Sequence, residues 1–162
     1  MRHFGRGDPM VRGGLVLPSL ALLLDQPAFH LSLRAGVDPS ASVLDRPLAW
    51  AHSSDLPDPT PWLPPGGLLL TDGGQFNGRT DVRPDDYVER LQGAGVAALG
   101  FATEVIHREV PPALVAACGR HGLALLEVGQ RTPFMAIIRF VVDARAREQR
   151  ERLEWSLAAQ RA

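Results

Sequence analysis

The residues able to do chemistry fall in four short runs, each near an apolar stretch. Asp55 and Asp58 sit in a proline-rich approach that also carries Trp62. Thr71, Asp72, Gly73 and Gly74 close the run Leu68-Leu69-Leu70. Phe101, Thr103 and Glu104 follow Val96 to Gly100, and Glu127 ends a third run close to Arg131 and Thr132. Carboxylates and threonine hydroxyls supply acceptors and donors. Paired glycines free backbone N–H groups that can cradle an anion or an amide. Trp62 reads as a core or cover residue, or as a stacking platform. Together these groups suit the binding of a small polar molecule.

They suit covalent or metal chemistry less well. The histidines at 3, 30, 52, 107 and 121 are scattered. No pair has zinc-ligand spacing, and HExxH, GxSxG and CxxC are absent. Neither Gly66-Gly67 nor Gly73-Gly74 begins a dinucleotide or phosphate-loop pattern. No metal, cofactor or catalytic residue is expected. His52-Ser53-Ser54-Asp55 invites a triad reading, but neighbours in an extended segment point to opposite faces. Cys118, the one cysteine, lies among small apolar residues, the setting of a buried inert thiol. All 17 basic residues are arginine, which removes lysine-based Schiff-base chemistry.

The elements that must position these residues can be read in order. Pro18 to Leu24 reads as a short helix with Leu20, Leu23 and Leu24 on one face. Phe29, Leu31 and Leu33 alternate with polar residues, the pattern of a half-buried strand. Leu48 to His52 reads as a second strand. Leu68 to Thr71, apolar throughout and flanked by turns, reads as a strand buried on both faces. The polar loop Asp72 to Arg83 is long. Pro84 then opens a helix that Gly95 ends, Val96 to Phe101 is a strand, and Pro111-Pro112 starts a helix ending near Gly122. Leu123 to Val128 is the last strand. This alternation predicts an α/β single domain with a mainly parallel sheet flanked by helices. Strand-end residues of a parallel sheet converge at one edge, where ligands bind. From Pro133 no helix breaker occurs, which predicts one long C-terminal helix over 133–162.

At 162 residues the chain fits one domain, and 45% hydrophobic content fills a single core. A net charge of −1 leaves no electrostatic footprint for nucleic acid. Residues 1–13 read as a disordered lead-in. Arg2, Arg6 and Arg12 before the run Gly14 to Leu24 imitate a signal peptide, but Asp25-Gln26-Pro27 stands where a cleavage site belongs. The run is too short to span a membrane, so a cytoplasmic chain without membrane contact is expected.

The stretch DLPDPTPWLPPGGLLLTDG, from Asp55 to Gly73, resembles the N-terminal domain of PucR-type (purine catabolism regulator) transcription factors. Three further stretches agree in order and spacing: YVERLQGAGVAALGF from Tyr87, VPPALVAACGRHGLALLEV from Val110 and TPFMAI from Thr132. The resemblance covers roughly Leu15 to Val142. It implies a sensory domain over 14–132 that answers to a small-molecule effector such as urate, allantoin or allantoate, and regulates purine catabolism or related nitrogen metabolism. DNA binding would fall to another module. Two departures stand out. The family reads Gly-Glu-Leu before the apolar strand where this chain has Gly67-Leu68. The glycine-rich turn after LGF is replaced by Ala102-Thr103-Glu104. The ligand-binding candidates are Asp55, Asp58, Trp62, Thr71, Asp72, Gly73, Gly74, Phe101, Thr103 and Glu127. A homodimer through the long helix is the expected assembly. The competing readings are an oligomerisation scaffold with a vestigial pocket and a small hydrolase.

Overall fold

Leu68, Leu69 and Leu70 have no solvent exposure. A strand covered on both faces needs a layer above and a layer below, and that need sets the architecture. The computed structural model describes residues 18–78, 81–129 and 131–161. Its strands are β1 (Leu31–Ala35), β2 (Ala51–Ser53), β3 (Leu68–Thr71), β4 (Ala98–Ala102) and β5 (Ala124–Val128). They form one sheet in the order β1-β5-β4-β3-β2. Strands β2 to β5 run parallel, and β1 closes the far edge antiparallel to β5. The helices are α1 (Leu20–Leu24), α2 (Pro84–Gly93), α3 (Pro112–His121) and α4 (Phe134–Gln160).

Alternation along the strands sorts the side chains into two cores. Leu69, Leu99, Phe101 and Leu125 meet Tyr87, Val88 and Leu91 of α2 and Leu114, Ala117 and Cys118 of α3. Leu68, Leu70, Leu126 and Val128 meet Leu20 and Leu23 of α1 and Ile137 and Val141 of α4. Burying one such leucine contributes about 2 kcal/mol. Cys118 is fully buried, and desolvation pushes its thiol up to about 12, so it is inert at neutral pH.

Local chemistry sets the helix limits. Pro84 and Pro112 occupy the first turn of α2 and α3, where a missing N–H costs nothing. Asp85 and Asp86 favour the positive end of α2. Gly95 and Gly122 turn left-handed, at φ 78° and 68°. Past each, an N–H closes back on the helix: Val96 to the Leu91 carbonyl and Leu123 to the Cys118 carbonyl, both at 3.1 Å. Asp85 then ties α2 to α3, accepting from Arg120 at 2.6 Å and lying 3.1 Å from His121 Nε2.

Several boundaries differ from the sequence reading. Pro18 precedes α1; Ser19 caps it, its hydroxyl accepting the Leu22 N–H at 3.1 Å. Phe29 belongs to a single tight turn, Pro27–Phe29, ahead of β1. β2 begins at Ala51 rather than Leu48, because Leu48 turns into the α1/α4 core and its N–H goes to the Pro18 carbonyl. The loop after β3 holds a helical turn, Gly74–Phe76, with Gln75 buried. The lead-in expected over residues 1–13 lies outside the described residues.

Candidate functional site

Because β2 to β5 are parallel, the loops that follow them leave from one edge of the sheet. Each brings a charged residue: Asp55 after β2, Asp72 after β3, Glu104 after β4 and Arg131 after β5.

Asp55, Thr71 and the glycines form a closed hydrogen-bonded knot. The Thr71 hydroxyl donates to Asp55 Oδ1 at 2.7 Å, and the Asp72 N–H donates to the same oxygen at 3.1 Å. Thr71 Oγ1 accepts the Gly73 N–H at 3.0 Å and lies 3.1 Å from the Gln75 side-chain amide. Its one proton is committed to Asp55, so the amide nitrogen of Gln75 is the end that suits it. Of the glycine N–H groups expected to cradle a ligand, that of Gly73 is therefore spent inside the protein on Thr71, and the neighbouring Asp72 N–H is spent on Asp55.

The glycines at this turn are dictated by space. Gly73 is left-handed at φ 81°, and a Cβ there would lie 2.5 Å from Phe101 Cζ and 2.7 Å from His107 Cδ2. The Gly73 carbonyl lies 2.9 Å from His107 Nε2. Glu104, itself at φ 65°, receives its neighbour back: its N–H donates to the His107 carbonyl at 2.7 Å. The loops after β3 and β4 are thereby latched. A Cβ on Gly74 would stand 3.2 Å from Asp55 Oδ2.

Beside the latch opens a cleft of about 450 Å3. Asp72, Glu104 and Arg131 line it, with Thr132 and an apolar wall of Ala102, Val105, Pro133 and Phe134. Burial, and secondly the charge of Asp55, raise the Asp72 carboxyl above its usual range. Arg131 is held left-handed at φ 54°, a costly conformation for a non-glycine residue. The next residue fixes it: the Thr132 hydroxyl reaches the Gly129 carbonyl at 2.8 Å and the Phe29 carbonyl at 2.9 Å. The first turn of α4 opens at this cleft without a side-chain cap; the Ala136 N–H turns back to the Pro133 carbonyl at 3.0 Å, and the N–H groups of Phe134 and Met135 stand ahead of the intrahelical ladder. Two carboxylates, a guanidinium and a helix start around an apolar wall can grip a small molecule carrying both N–H donors and carbonyl or carboxylate acceptors.

The candidates divide accordingly. Asp55, Thr71, Asp72, Gly73 and Gly74 come together. Phe101, fully buried, is the floor under Gly73, and Thr103 is buried with its N–H on the Val128 carbonyl at 3.1 Å. Three lie apart. Asp58 accepts from the Thr60 hydroxyl at 2.6 Å and its N–H at 3.1 Å; these bonds hold its carboxyl below the usual range. Trp62 is 72% exposed and belongs to neither core. Glu127 lies two residues past Leu125, on the α2/α3 side of the sheet, 3.5 Å from Arg34 of β1. The triad reading also dissolves: Asp55 is engaged by Thr71, and Ser54 Oγ accepts the Leu56 N–H.

Gln75, His107 and the lining role of Arg131 were not singled out from sequence. His107 reaches Gly73 across 34 residues, and nothing local announces it. Arg131 had one signal, its place directly between the last strand and the long helix.

The departure before β3 has a physical counterpart. The Trp50 indole lies against Gly67, where a Cβ would stand 2.0 Å from ring atoms, and its N–H donates to the Pro64 carbonyl at 2.9 Å. A glutamate at 67 and this Trp50 position exclude each other.

No solved structure matches the chain. It is 35% identical over 121 residues, 73% of its length, to the transcriptional activator PmfR of Paenarthrobacter nicotinovorans. It spans about a quarter of that curated relative, 25%. No helix among the described residues is long and apolar enough to cross a membrane. The purine catabolism regulatory protein-like family matches over residues 22–144, from α1 through the sheet to the first part of α4. With the sheet, both helix layers and the strand-end cleft inside that match, the chain belongs to the PucR family of transcription regulators.

Proposed function

We propose that this chain is the effector-sensing domain of a PucR-type regulator and that the cleft between Asp72 and Arg131 holds the effector. One observation carries the reading: residues from the ends of three parallel strands and the start of α4 line the same cleft of about 450 Å3. Ligands of open α/β sheets bind in this position, and the volume is that of a small-molecule site. The lining suits a ureide or oxidised purine, such as allantoin, allantoate or urate. Asp72 and Glu104 accept N–H groups, while Arg131 and the α4 N-terminus receive a carbonyl or carboxylate. The domain acts by binding rather than by turnover, works in the cytoplasm and leaves DNA contact to another part of the regulator. A net charge of −1 supports that last point.

The test is a thermal-shift and calorimetric panel of purine-breakdown intermediates and related small acids. A ligand at about a hundred times its Kd adds about 2.7 kcal/mol, an upward shift of several degrees. The expected result is a ligand whose binding is lost in Asp72→Ala and Arg131→Ala. Binding that survives both changes moves the site elsewhere. A panel without a ligand overturns the purine-catabolite assignment.

A further inference from the structure

Of nine large apolar side chains that stand exposed among the described residues, five lie on α4. Four of them, Met135, Val142, Leu153 and Leu157, are 54–70% exposed. At about 100° per residue these four and Ala146 fall within about 40° of one line along the helix. Ile137, Val141 and Ala144, buried against the domain, lie on the opposite side. α4 thus has two apolar faces, and its own domain covers one. The repeat Met135–Val142–Ala146–Leu153–Leu157 has an eleven-residue period, about 3.67 residues per turn, which keeps such a stripe nearly straight on an α-helix.

We infer that this stripe docks on the same stripe of a second copy of the chain, with the two α4 helices antiparallel. Charge selects the orientation and the register. One flank of the stripe carries Arg139, Asp143, Arg150 and Glu154 in alternating sign. An antiparallel pair sets each flank against its own counterpart. With Val142 facing the partner's Leu153, Ile138 faces the partner's Leu157 and Ala146 faces the partner's Gln149. In that same register Arg139 meets the partner's Glu154, and Asp143 meets the partner's Arg150. A parallel, in-register pair instead sets opposite flanks together. Arg145 then meets the partner's Arg150, and neither acid meets an arginine.

Two further features fit the antiparallel pair. Its two-fold axis passes between Arg147 and Glu148, the middle of the 27-residue helix, so the helices overlap along their whole length. Beside the stripe a cavity of about 470 Å3 has Phe29, Met135, Ala136 and Phe140 as its floor, with Arg139 and Asp143 on its rim. The partner's Leu157 comes over that floor. On the other flank, Arg145 is engaged by the Leu48 carbonyl at 3.0 Å and Arg152 by Glu148 at 2.7 Å. Trp155 lies on the opposite face and takes no part.

Sedimentation velocity on the purified 162-residue chain tests this directly. The expected particle is twice 17.6 kDa. Leu153→Asp gives a monomer that keeps its circular dichroism and melting cooperativity, since Leu153 is 64% exposed. Two-fold symmetry counts each ion pair twice, so Arg139→Glu weakens dimerisation at least about tenfold. Arg139→Glu with Glu154→Arg in one chain restores it; the two positions are too far apart on one helix to meet. Val142→Cys mixed with Leu153→Cys forms an interchain disulfide, and neither does so alone. A monomeric wild type, a dimer indifferent to Leu153→Asp, or self-crosslinking of Val142→Cys each overturns the proposal.

Discussion

The carboxylate of Asp55 holds the hydroxyl of Thr71 at 2.7 Å, joining an exposed loop to the buried end of a central strand. Sixteen residues separate them, and that interval is the proline-rich approach with its tryptophan. The approach is stiff and returns the chain beside its own start. Asp55 therefore acts as a staple that presents Asp72, the next residue, to the cleft. The role is one of positioning: the staple's Oδ1 accepts the backbone N–H of Asp72 and leaves its side chain free for the cleft.

Removing the staple's donor has a defined cost. Thr71→Val keeps the shape but leaves Asp55 without its hydroxyl partner and the buried Gly73 N–H without an acceptor. The expected loss is about 2 kcal/mol, a fall of about 6 °C in Tm. Thr71→Ser, which keeps the hydroxyl, recovers most of it. Differential scanning calorimetry of the two variants decides: equal Tm values show that the hydroxyl contributes nothing beyond volume.

The turn that follows is sterically closed. Gly73→Ala forces φ 81° on an alanine and drives its Cβ into Phe101 and His107. A loss of about 3 kcal/mol is expected, read in urea as a lower midpoint at unchanged slope. Gly78→Ala, at φ 83° with nothing within 4 Å of its Cβ, isolates the backbone part and costs about 1 kcal/mol. Equal losses in the two variants mean that contact with Phe101 is relieved at no cost.

The sequence made these elements legible where punctuation and pattern agreed. From β3 to α4, prolines open the helices, glycines close them, and unbroken apolar runs mark doubly covered strands. β1 was harder. Alternation in Leu31 and Leu33 shows a half-buried strand but not its neighbour, and pairing with β5 joins residues almost a hundred positions apart. The cleft was legible as an edge, because strand ends of a parallel sheet must converge. Its lining was less so. Glu127 lies at the end of β5, one residue before Val128, much as Thr71 ends β3, but a side chain's face follows from its two-residue phase, and Phe101 stands between Thr71 and Glu127 in the same row. Trp62, expected as a packing or stacking residue, stands exposed, and the tryptophan that packs is Trp50, against Gly67.

Asp72 links stability to pH in a direction that can be worked out. Burial and Asp55 raise its folded pKa above the ordinary 3.8, so the folded state binds the proton more tightly than the unfolded chain. The carboxylate is then destabilising above the folded pKa, and the penalty fades as pH falls through that pKa and is lost below 3.8. Asp72→Asn is therefore expected to raise Tm by about 1–2 °C at pH 7 and to leave it unchanged near pH 3. On the proposed function the same substitution, which removes an acceptor from the cleft, is expected to weaken effector binding, the usual opposition of stability and function at a binding site. Melting curves at the two pH values check the sign; a variant less stable at pH 7 refutes it.

The β5–α4 connection is where occupancy of the cleft would reach the rest of a regulator. Arg131, Thr132 and Pro133 line the cleft and lead directly into α4, and the Thr132 hydroxyl fastens them to the turn before β1. A ligand gripped by Arg131 and the first N–H groups of α4 must stabilise the left-handed backbone at Arg131 and the first helical turn. Both belong to the segment in which trypsin meets Arg131 and Arg139. Slower cleavage at these two sites is expected with effector bound, by about the factor of 1 + [L]/Kd when opening precedes cutting. Cleavage at Arg90, exposed on α2 and outside both the cleft lining and α4, serves as the internal reference. Mass spectrometry of a timed digest separates the two regions. Protection at Arg131 and Arg139 that exceeds that reference shows effector binding carried into the helix; identical cutting with and without ligand shows a cleft that fills without moving α4.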